Sequence, residues 1–210
     1  MIRRPSLRIG LDFDNTIIRY DEVFQQAAKE RGLVLDSFSG TKQQVRDAIR
    51  LQPEGEMKWQ ALQGYVYGRG ISEAKLFPGV REFLRRARKN GDTILIVSHK
   101  TEYGHFDRDN VNLRDAALRW MEMNGFFSED GFSIMRDHVH FASTRSEKVS
   151  RIADLNCEFF VDDLEEVLSD PAFPPSVERI LLSASALVEH LPYKVCSDWA
   201  AIEEIIFLGH

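Results

Sequence analysis

Alternating hydrophobic and polar positions near the start of the chain predict a buried β-strand over residues 7–13. Ile9, Leu11 and Phe13 alternate with small or polar residues, which is the two-residue period of an extended strand. A strand of this kind needs partners on both sides, so the pattern farther along the chain decides what sheet it joins.

The segment after this strand has a helical pattern. Apolar residues recur at helical spacing from Asp21 to Gly32, and further helices are predicted at about 41–51 and 54–67, separated by Pro53. We see no convincing strand in this region. Residues 20–76 are therefore predicted to form a small helical insertion.

From Leu76 onward, predicted strands and helices alternate. The continuous apolar run Thr93–Val97 is typical of a strand in a parallel sheet that is covered on both faces. Further strands are predicted at 139–142, 158–161 and 179–183, and helices are predicted to begin near residues 80, 110, 146, 164 and 198. Because such alternation produces right-handed crossovers, we predict an α/β fold: a doubly wound, Rossmann-like parallel sheet of residues 1–19 and 77–210, with a small helical cap inserted after the first strand.

Composition narrows the class of partner. The chain has 210 residues, 43% hydrophobic and 29% charged, which is enough for one substantial core. A formal charge of -6 gives no global positive field, so we predict a small-molecule partner and neither nucleic acid nor membrane. The two cysteines, Cys157 and Cys196, lack zinc-site spacing and are interpreted as buried free thiols. The opening residues do not have the pattern of a signal peptide, so a cytoplasmic location is expected.

Two carboxylates stand at the end of the first strand, in the sequence Asp12-Phe13-Asp14-Asn15-Thr16. Aspartate is a poor strand former, and at positions i and i+2 of an extended chain the two side chains project to the same side. Carboxylates this close repel each other unless a cation lies between them or one of them holds a proton. The pair therefore indicates a metal site or an acid–base pair, although Asp-Asn also favours a simple turn.

Polar residues follow other predicted strands as well, at the sheet edge where open α/β proteins bind ligands. Ser98 comes directly after the long apolar run, and Asp162 and Asp163 follow a later strand. Lys148 lies near the start of a predicted helix, where backbone N–H groups favour an anion. Carboxylates, a hydroxyl group and a lysine at one edge indicate a hard divalent cation, Mg²⁺, together with a phosphoryl group.

With these motifs in this order, the chain resembles the haloacid dehalogenase (HAD) superfamily, phosphatase type with a helical first-type cap, over nearly its whole length. The aspartate pair matches the first motif of the family, D-x-D-x-T, and Ser98 matches the second. Lys148 matches the third motif and Asp162-Asp163 the fourth. The first and fourth motifs are the specific ones, since a single Ser or Lys is common in any chain. The dehalogenase branch lacks the aspartate found here as Asp14, so phosphoryl chemistry is favoured over carbon–halogen cleavage.

The resemblance implies a Mg²⁺-dependent phosphatase. Asp12 would attack phosphorus to form an aspartyl-phosphate, and Asp14 would protonate the leaving oxygen and then activate water. Ser98 and Lys148 would hold the phosphoryl oxygens. The metal ligands implied are Asp12, the backbone carbonyl of Asp14, and the pair Asp162 and Asp163, of which Asp163 is favoured as the direct ligand.

The chain departs from the common family pattern at two places. His99 and Lys100 follow Ser98, where many relatives have Asn. These two residues and Thr16 complete the predicted phosphate- and substrate-binding set. The acidic pair is followed by Glu165-Glu166 instead of a later aspartate. Both departures leave the metal geometry and the loop conformation open.

Two segments are candidates for substrate recognition. In the predicted cap, aromatic or cationic residues could read the substrate or could pack and be solvated; they are Lys58, Trp59, Tyr65, Tyr67 and Arg69. The polar stretch 98–109 is longer than the usual connection, and in it Lys100, His105 and Arg108 could contact an anionic or polyol substrate.

Three functions follow from these observations. The leading one is hydrolysis of a small phosphorylated metabolite. The second is a phosphosugar mutase or other phosphotransferase of the same superfamily, in which the phosphoryl group passes to another hydroxyl instead of water. The third is a non-catalytic, Mg²⁺-binding regulatory module, against which the presence of Asp14 argues because an inactive site has no need of a general acid. The identity of the substrate and the oligomeric state stay open.

Overall fold

The computed structural model describes residues 5–106, 109–184 and 191–209, and these residues form two compact units. The sheet unit takes its described residues from the ranges 1–17, 76–99 and 125–210. The helical unit consists of 18–75 and 100–124.

Eight strands are described. In chain order they are β1 (Arg8–Leu11), β2 (Ile18–Arg19), β3 (Lys75–Leu76), β4 (Thr93–His99), β5 (Val139–Ala142), β6 (Phe159–Asp162), β7 (Glu178–Leu182) and β8 (Lys194–Cys196). Six of them form one sheet in the order β5-β4-β1-β6-β7-β8, and all its pairs are parallel. The register pairs Leu11 of β1 with Ile96 of β4 and with Val161 of β6. Strands β2 and β3 pair separately.

Helices alternate with strands from β3 to β7, and three helices follow one another between β2 and β3. The helices are α1 (Asp21–Glu30), α2 (Lys42–Arg50), α3 (Gly55–Tyr67), α4 (Val80–Asn90), α5 (Leu113–Met123), α6 (Arg145–Asp154), α7 (Glu165–Leu168) and α8 (Trp199–Leu208), with short 3₁₀ helices at Arg69–Glu73 and Arg136–His138. None of the helices in the described ranges is both long and apolar enough to cross a lipid bilayer.

The core of the sheet unit explains the continuous apolar run in β4. Leu95 and Val97 pack in one buried cluster with Phe160 of β6 and with apolar residues of α6. Helix α4 also packs against β4, and its Phe83 ring lies 4.8 Å from the ring of Trp199 in α8. Helices and loops therefore bury both series of alternating side chains, and the predicted α/β class with a doubly wound parallel sheet is confirmed.

Two strands are absent from the sequence prediction. They are β2 and β3, which pair with each other and have two residues each. Segments this short do not display a two-residue period, so their pairing depends on contacts distant in the sequence.

The helical unit has an aromatic core. The rings of Phe24 and Trp59 stack with centroids 5.0 Å apart, and the Tyr67 ring lies edge-on to Phe24 at 5.6 Å. Helix α5 belongs to this unit: the buried indole N–H of Trp120 donates to the carbonyl of Ala74 at 2.9 Å. The unit thus contains nearly all of the predicted cap and adds residues 100–124, whose helix packs on α3 and on the first 3₁₀ helix.

Candidate active site

Asp12 lies at the carboxyl end of the central strand β1. Its backbone N–H donates to the carbonyl of Val161 at 2.8 Å, so the ladder with β6 continues one residue beyond the end of β1. The Asp12 side chain is buried. Because β1 lies between β4 and β6, residues that end those two strands become neighbours of Asp12.

The chain turns immediately after this strand. Asn15 has φ 61°, in the left-handed region that asparagine tolerates better than most residues. The indole N–H of Trp199 in α8 donates to the Thr16 carbonyl at 3.1 Å. This turn holds Asp14, which is half-buried, close to the end of β1.

Two residues of the predicted binding set have buried hydroxyl groups without a hydrogen-bond partner among the described residues. They are Thr16 Oγ1 and Ser98 Oγ, and both side chains are fully buried. Since the register pairs Leu11 with Ile96, Ser98, the next-to-last residue of β4, lies just beyond the level of Asp12. A buried polar group without a partner costs about 1–3 kcal/mol, and an incoming oxygen-rich ligand would relieve that cost.

Helix α6 carries Lys148 into the site. The helix begins at Thr144, whose side chain accepts from the backbone N–H of Glu147 at 3.1 Å. One turn later, the Lys148 ammonium lies 2.6 Å from Asp12 Oδ1 and 2.6 Å from Asp162 Oδ2. Only 1% of the Lys148 side chain is exposed. One buried cation therefore joins the carboxylates that follow β1 and end β6.

The acidic pair at the end of β6 divides into two environments. Asp162 is fully buried, and its second oxygen, Oδ1, accepts from the backbone N–H of Leu164 at 3.0 Å. Asp163 is half-buried. Both oxygens of Asp162 are thus engaged within the protein.

The charges of this cluster perturb one another. Burial raises the pKa of Asp12 well above its usual value; Lys148 opposes this rise, and the carboxylates of Asp162, Asp163 and Asp14 add to it. Burial alone would lower the pKa of Lys148, but Asp12 and Asp162 outweigh it, so that pKa lies above its usual value. The lysine is held as a cation, and one positive charge does not balance four carboxylates.

The donor set fits a divalent cation. Asp12, Asp162 and Asp163 each offer one carboxylate oxygen, and these oxygens lie within 4.8 Å of one another. Mg²⁺ prefers carboxylate oxygens together with substrate phosphate oxygens. The uncompensated negative charge around Asp12 favours the same kind of ion.

The two residues after Ser98 have different surroundings. His99 Nε2 lies 3.0 Å from the carbonyl oxygen of Ser143. Lys100 belongs to the helical unit; its side chain is buried, and its ammonium lies 4.7 Å from the centroid of the Tyr67 ring.

The other candidate recognition residues are mostly engaged within the helical unit. Trp59 packs in the core against Phe24, and the Arg31 guanidinium lies 3.6 Å from the centroid of the Tyr65 ring. Arg69 pairs with Asp109 at 3.1 Å, whereas Lys58 is half-buried and His105 is exposed. Arg108 lies outside the described residues.

The sequence analysis missed the residues that set the start of α6. It placed the helix near residue 146, but Thr144 is the N-cap and Glu147 accepts from the backbone N–H of Ser143 at 2.7 Å. The spacing of Thr144 and Glu147, T-x-x-E, is a known signal for a helix start. Trp199, which donates to the turn after Asp12, carries no comparable signal.

The chain is similar to curated proteins over most of its length. No protein-family model matches the chain. A curated Bacillus cereus protein named "Putative nucleotidase" is 23% identical over 206 residues, covering 95% of this chain and 98% of its own. An Oceanobacillus iheyensis protein of the same description is 18% identical, covering 77% of this chain and 79% of its own.

Solved structures share the architecture over nearly the whole chain. A HAD family hydrolase from Deinococcus radiodurans, solved with bound phosphate and sodium, has a TM-score of 0.56 at 14% identity and covers 96% of this chain and 95% of its own. Protein Tyrosine Kinase A of Mycobacterium tuberculosis has a TM-score of 0.62 at 15% identity and covers 96% and 98%.

These structures assign the fold of the chain. The chain has the α/β fold found in HAD-family hydrolases, so the fold implied by the resemblance is confirmed. Identities this low show the fold alone, and proteins named as a hydrolase and as a kinase share it. The activity must therefore be argued from the site.

Proposed function

We propose that the protein is a Mg²⁺-dependent phosphatase that hydrolyses a small phosphorylated metabolite through an aspartyl-phosphate on Asp12. One observation carries the proposal: the Lys148 ammonium contacts both Asp12 and Asp162 at 2.6 Å inside a buried site. A buried lysine fixed on the candidate nucleophile and on a candidate metal ligand suits a reaction in which phosphoryl charge must be held next to both.

The chemistry divides into two displacements at phosphorus. A carboxylate oxygen of Asp12 bonds to phosphorus while the bond to the leaving oxygen breaks, and Asp14 gives that oxygen a proton. Asp14 then removes a proton from water, which attacks phosphorus and frees Asp12. Lys148 and the hydroxyl groups of Ser98 and Thr16, which lack partners among the described residues, hold the phosphoryl oxygens.

The metal role falls to three carboxylates. Asp12, Asp162 and Asp163 would hold the ion, since each offers a carboxylate oxygen to the same cluster. When bound, Mg²⁺ supplies positive charge between these carboxylates and the phosphoryl oxygens.

Nucleoside monophosphates are the first substrate class to test. Both curated relatives are named as nucleotidases, and the first spans 95% of this chain. A nucleotide is a small phosphorylated metabolite, so this choice narrows the general proposal without changing its mechanism.

The test is release of inorganic phosphate from a panel of nucleoside monophosphates, sugar phosphates and phosphotyrosine, with Mg²⁺ or with chelator. Asp12→Asn removes the nucleophile, and Asp154→Asn, on the exposed face of α6, is the matched control. We expect Mg²⁺-dependent release from the wild type and from Asp154→Asn, and none from Asp12→Asn.

Three other outcomes would redirect the assignment. Isomerised sugar phosphate without free phosphate would indicate the mutase. Magnesium binding without turnover of any compound would indicate a regulatory module. Turnover that survives in folded Asp12→Asn would refute the nucleophile and the mechanism with it.

A further inference from the structure

His99 forms a contact that the parallel ladder does not provide. It is the last residue of β4 and is paired in register with Ala142, the last residue of β5. Its imidazole Nε2 reaches one residue farther, to the Ser143 carbonyl at 3.0 Å. The side chain therefore extends the connection between the two strands into the turn that begins α6.

This contact identifies one ring nitrogen as a donor. A carbonyl oxygen only accepts hydrogen bonds, so Nε2 carries a hydrogen and donates it to the Ser143 carbonyl.

From Ser143 the contacts lead to Lys148. The Ser143 backbone N–H donates to Glu147 Oε2 at 2.7 Å, and the Glu147 backbone N–H donates to Thr144 Oγ1 at 3.1 Å. The Lys148 backbone N–H donates to the Thr144 carbonyl at 3.1 Å. The residue bonded to His99 is thus part of the capping arrangement of the helix turn that carries the buried lysine.

We propose that His99 is a positioning residue, which holds the Ser143–Thr144 turn and thereby sets where the Lys148 ammonium lies between Asp12 and Asp162. This inference rests on the proposed phosphatase function and deepens it. It gives His99, which stands where many relatives have Asn, a role in aiming the phosphate-binding lysine instead of contacting phosphate directly.

The size of the effect follows from the contact. His99 offers one hydrogen bond from an exposed side chain, and losing a bond of that kind should lower kcat by roughly two- to twelvefold. KM should change less than about twofold, because an interaction that matters most in the transition state affects mainly kcat.

The test compares His99→Ala with His99→Gln in the full chain. Glutamine keeps an N–H donor at about the reach of Nε2, so we expect it to restore kcat and alanine to lower it. His138→Ala is the matched control, because it removes a half-buried imidazole that precedes β5, at the opposite end of that strand from Ser143. His99→Gln and His138→Ala should unfold at the wild-type temperature, and His99→Ala at that temperature or slightly below it, because it loses one exposed hydrogen bond.

Two further measurements need no turnover. Backbone amides of 144–148 should exchange hydrogen faster in His99→Ala than in the wild type, and at the wild-type rate in His99→Gln and His138→Ala. The ¹⁵N shifts of the His99 ring should show a proton on Nε2.

These readouts separate the two proposals. If the wild type releases no phosphate but exchange and ring shifts are as expected, the phosphatase assignment fails and the positioning contact stands. Unchanged exchange in His99→Ala, or a ring without a proton on Nε2, overturns the positioning role. A raised KM with unchanged kcat would also overturn it, in favour of direct phosphate contact.

Discussion

Among single residues, Asp12 is expected to have opposite effects on activity and on stability: its charged form is needed for the proposed reaction but destabilises the fold. Its pKa is raised by burial and by neighbouring carboxylates above the ordinary value of 3.8. An acid whose pKa is higher in the folded protein destabilises the fold as the pH rises past its ordinary value, because the charged form is disfavoured there. At neutral pH and without metal, the Asp12 charge therefore weakens the fold that the reaction needs.

The first prediction follows for Asp12→Asn. Turnover should fall about 10³-fold or more, while the free energy of unfolding in chelator should stay equal to the wild-type value or rise. Denaturant titration at neutral pH measures the second quantity. A clear loss of stability would mean that the Asp12–Lys148 pair outweighs the repulsion among the carboxylates.

Lys148→Met should have the opposite effect on stability. It leaves Asp12 and Asp162 buried without their shared cation, and breaking a buried ion pair from one side costs about 3–5 kcal/mol. In chelator we expect a loss of that order, partly recovered on adding Mg²⁺. Lys89→Met, at an exposed lysine of α4, should change neither value. Equal stability of both variants in chelator would show that the Lys148 pair contributes nothing.

The cysteines give a prediction about reactivity. Both are free and buried, and burial raises the pKa of each thiol, Cys157 to about 11 and Cys196 to about 11. At pH 8 only about one thiol in a thousand would be ionised, so thiol reagents should react slowly until the chain unfolds. Labelling with a chromogenic disulfide, with and without denaturant, measures this, and fast labelling of the folded protein would contradict it.

At the scale of elements, the packing of β1 on β6 decides where Asp12 and Asp162 lie. A Cβ added at Gly10 would lie 2.4 Å from Phe160 Cδ2 and 2.9 Å from Cys157 Sγ. Gly10 therefore permits the close approach of the two central strands.

Gly10→Ala should destabilise the protein by about 1–3 kcal/mol through overpacking, and it should lower kcat because the strand ends shift. Phe160→Leu makes room at the same place, so the added cost of Gly10→Ala should be smaller in that background. A double-mutant cycle by denaturant titration tests this coupling. If the losses of stability in Gly10→Ala and Phe160→Leu simply add in the double variant, the Phe160 ring is not what excludes a larger side chain at position 10.

Some of these strands and helices could be predicted from the sequence and others could not. The long strand β4 was predicted from its continuous apolar run, and the amphipathic helices were predicted because their apolar positions recur at helical spacing. The short strands β2 and β3 were not predicted, since their pairing is decided by contacts between distant residues. The order of strands in the sheet likewise needed the structure.

The candidate site was predictable to the extent that its residues end strands. Asp12, Ser98 and Asp162 stand after apolar runs, so their shared edge follows from a parallel sheet. The contact of Lys148 with both Asp12 and Asp162 could not be predicted from the sequence. It depends on where helix α6 lies relative to the ends of the strands. The support from Trp199 and His99 was also invisible, since both act through backbone carbonyls, which no side-chain pattern marks.

At the scale of the whole molecule, two buried tryptophans offer a test of the division into units. Trp120 donates to Ala74 at 2.9 Å within the helical unit, and Trp199 donates to Thr16 at 3.1 Å within the sheet unit. Each substitution by Phe removes one such bond and leaves a buried carbonyl without its donor, at a cost of about 1–3 kcal/mol.

Trp120→Phe should speed amide exchange in 18–75 and 100–124 and leave the strands β1, β6 and β7 protected. Trp199→Phe should affect the sheet unit instead, and it should lower kcat because the turn at Thr16 loosens. Hydrogen exchange followed by mass spectrometry measures both. The same exchange pattern in the two variants would mean that the units open together.

The helical unit is assembled from two separate stretches of chain, and the polypeptide crosses between the units at residues 17/18, 75/76, 99/100 and 124/125. Recombination between genes that exchanged only one of these stretches would leave Trp120 facing a foreign partner. A helical unit from another protein could therefore replace this one only if both stretches, 18–75 and 100–124, were exchanged together. Because α3 contacts α5, substitutions in α3 should be accompanied by compensating substitutions in α5.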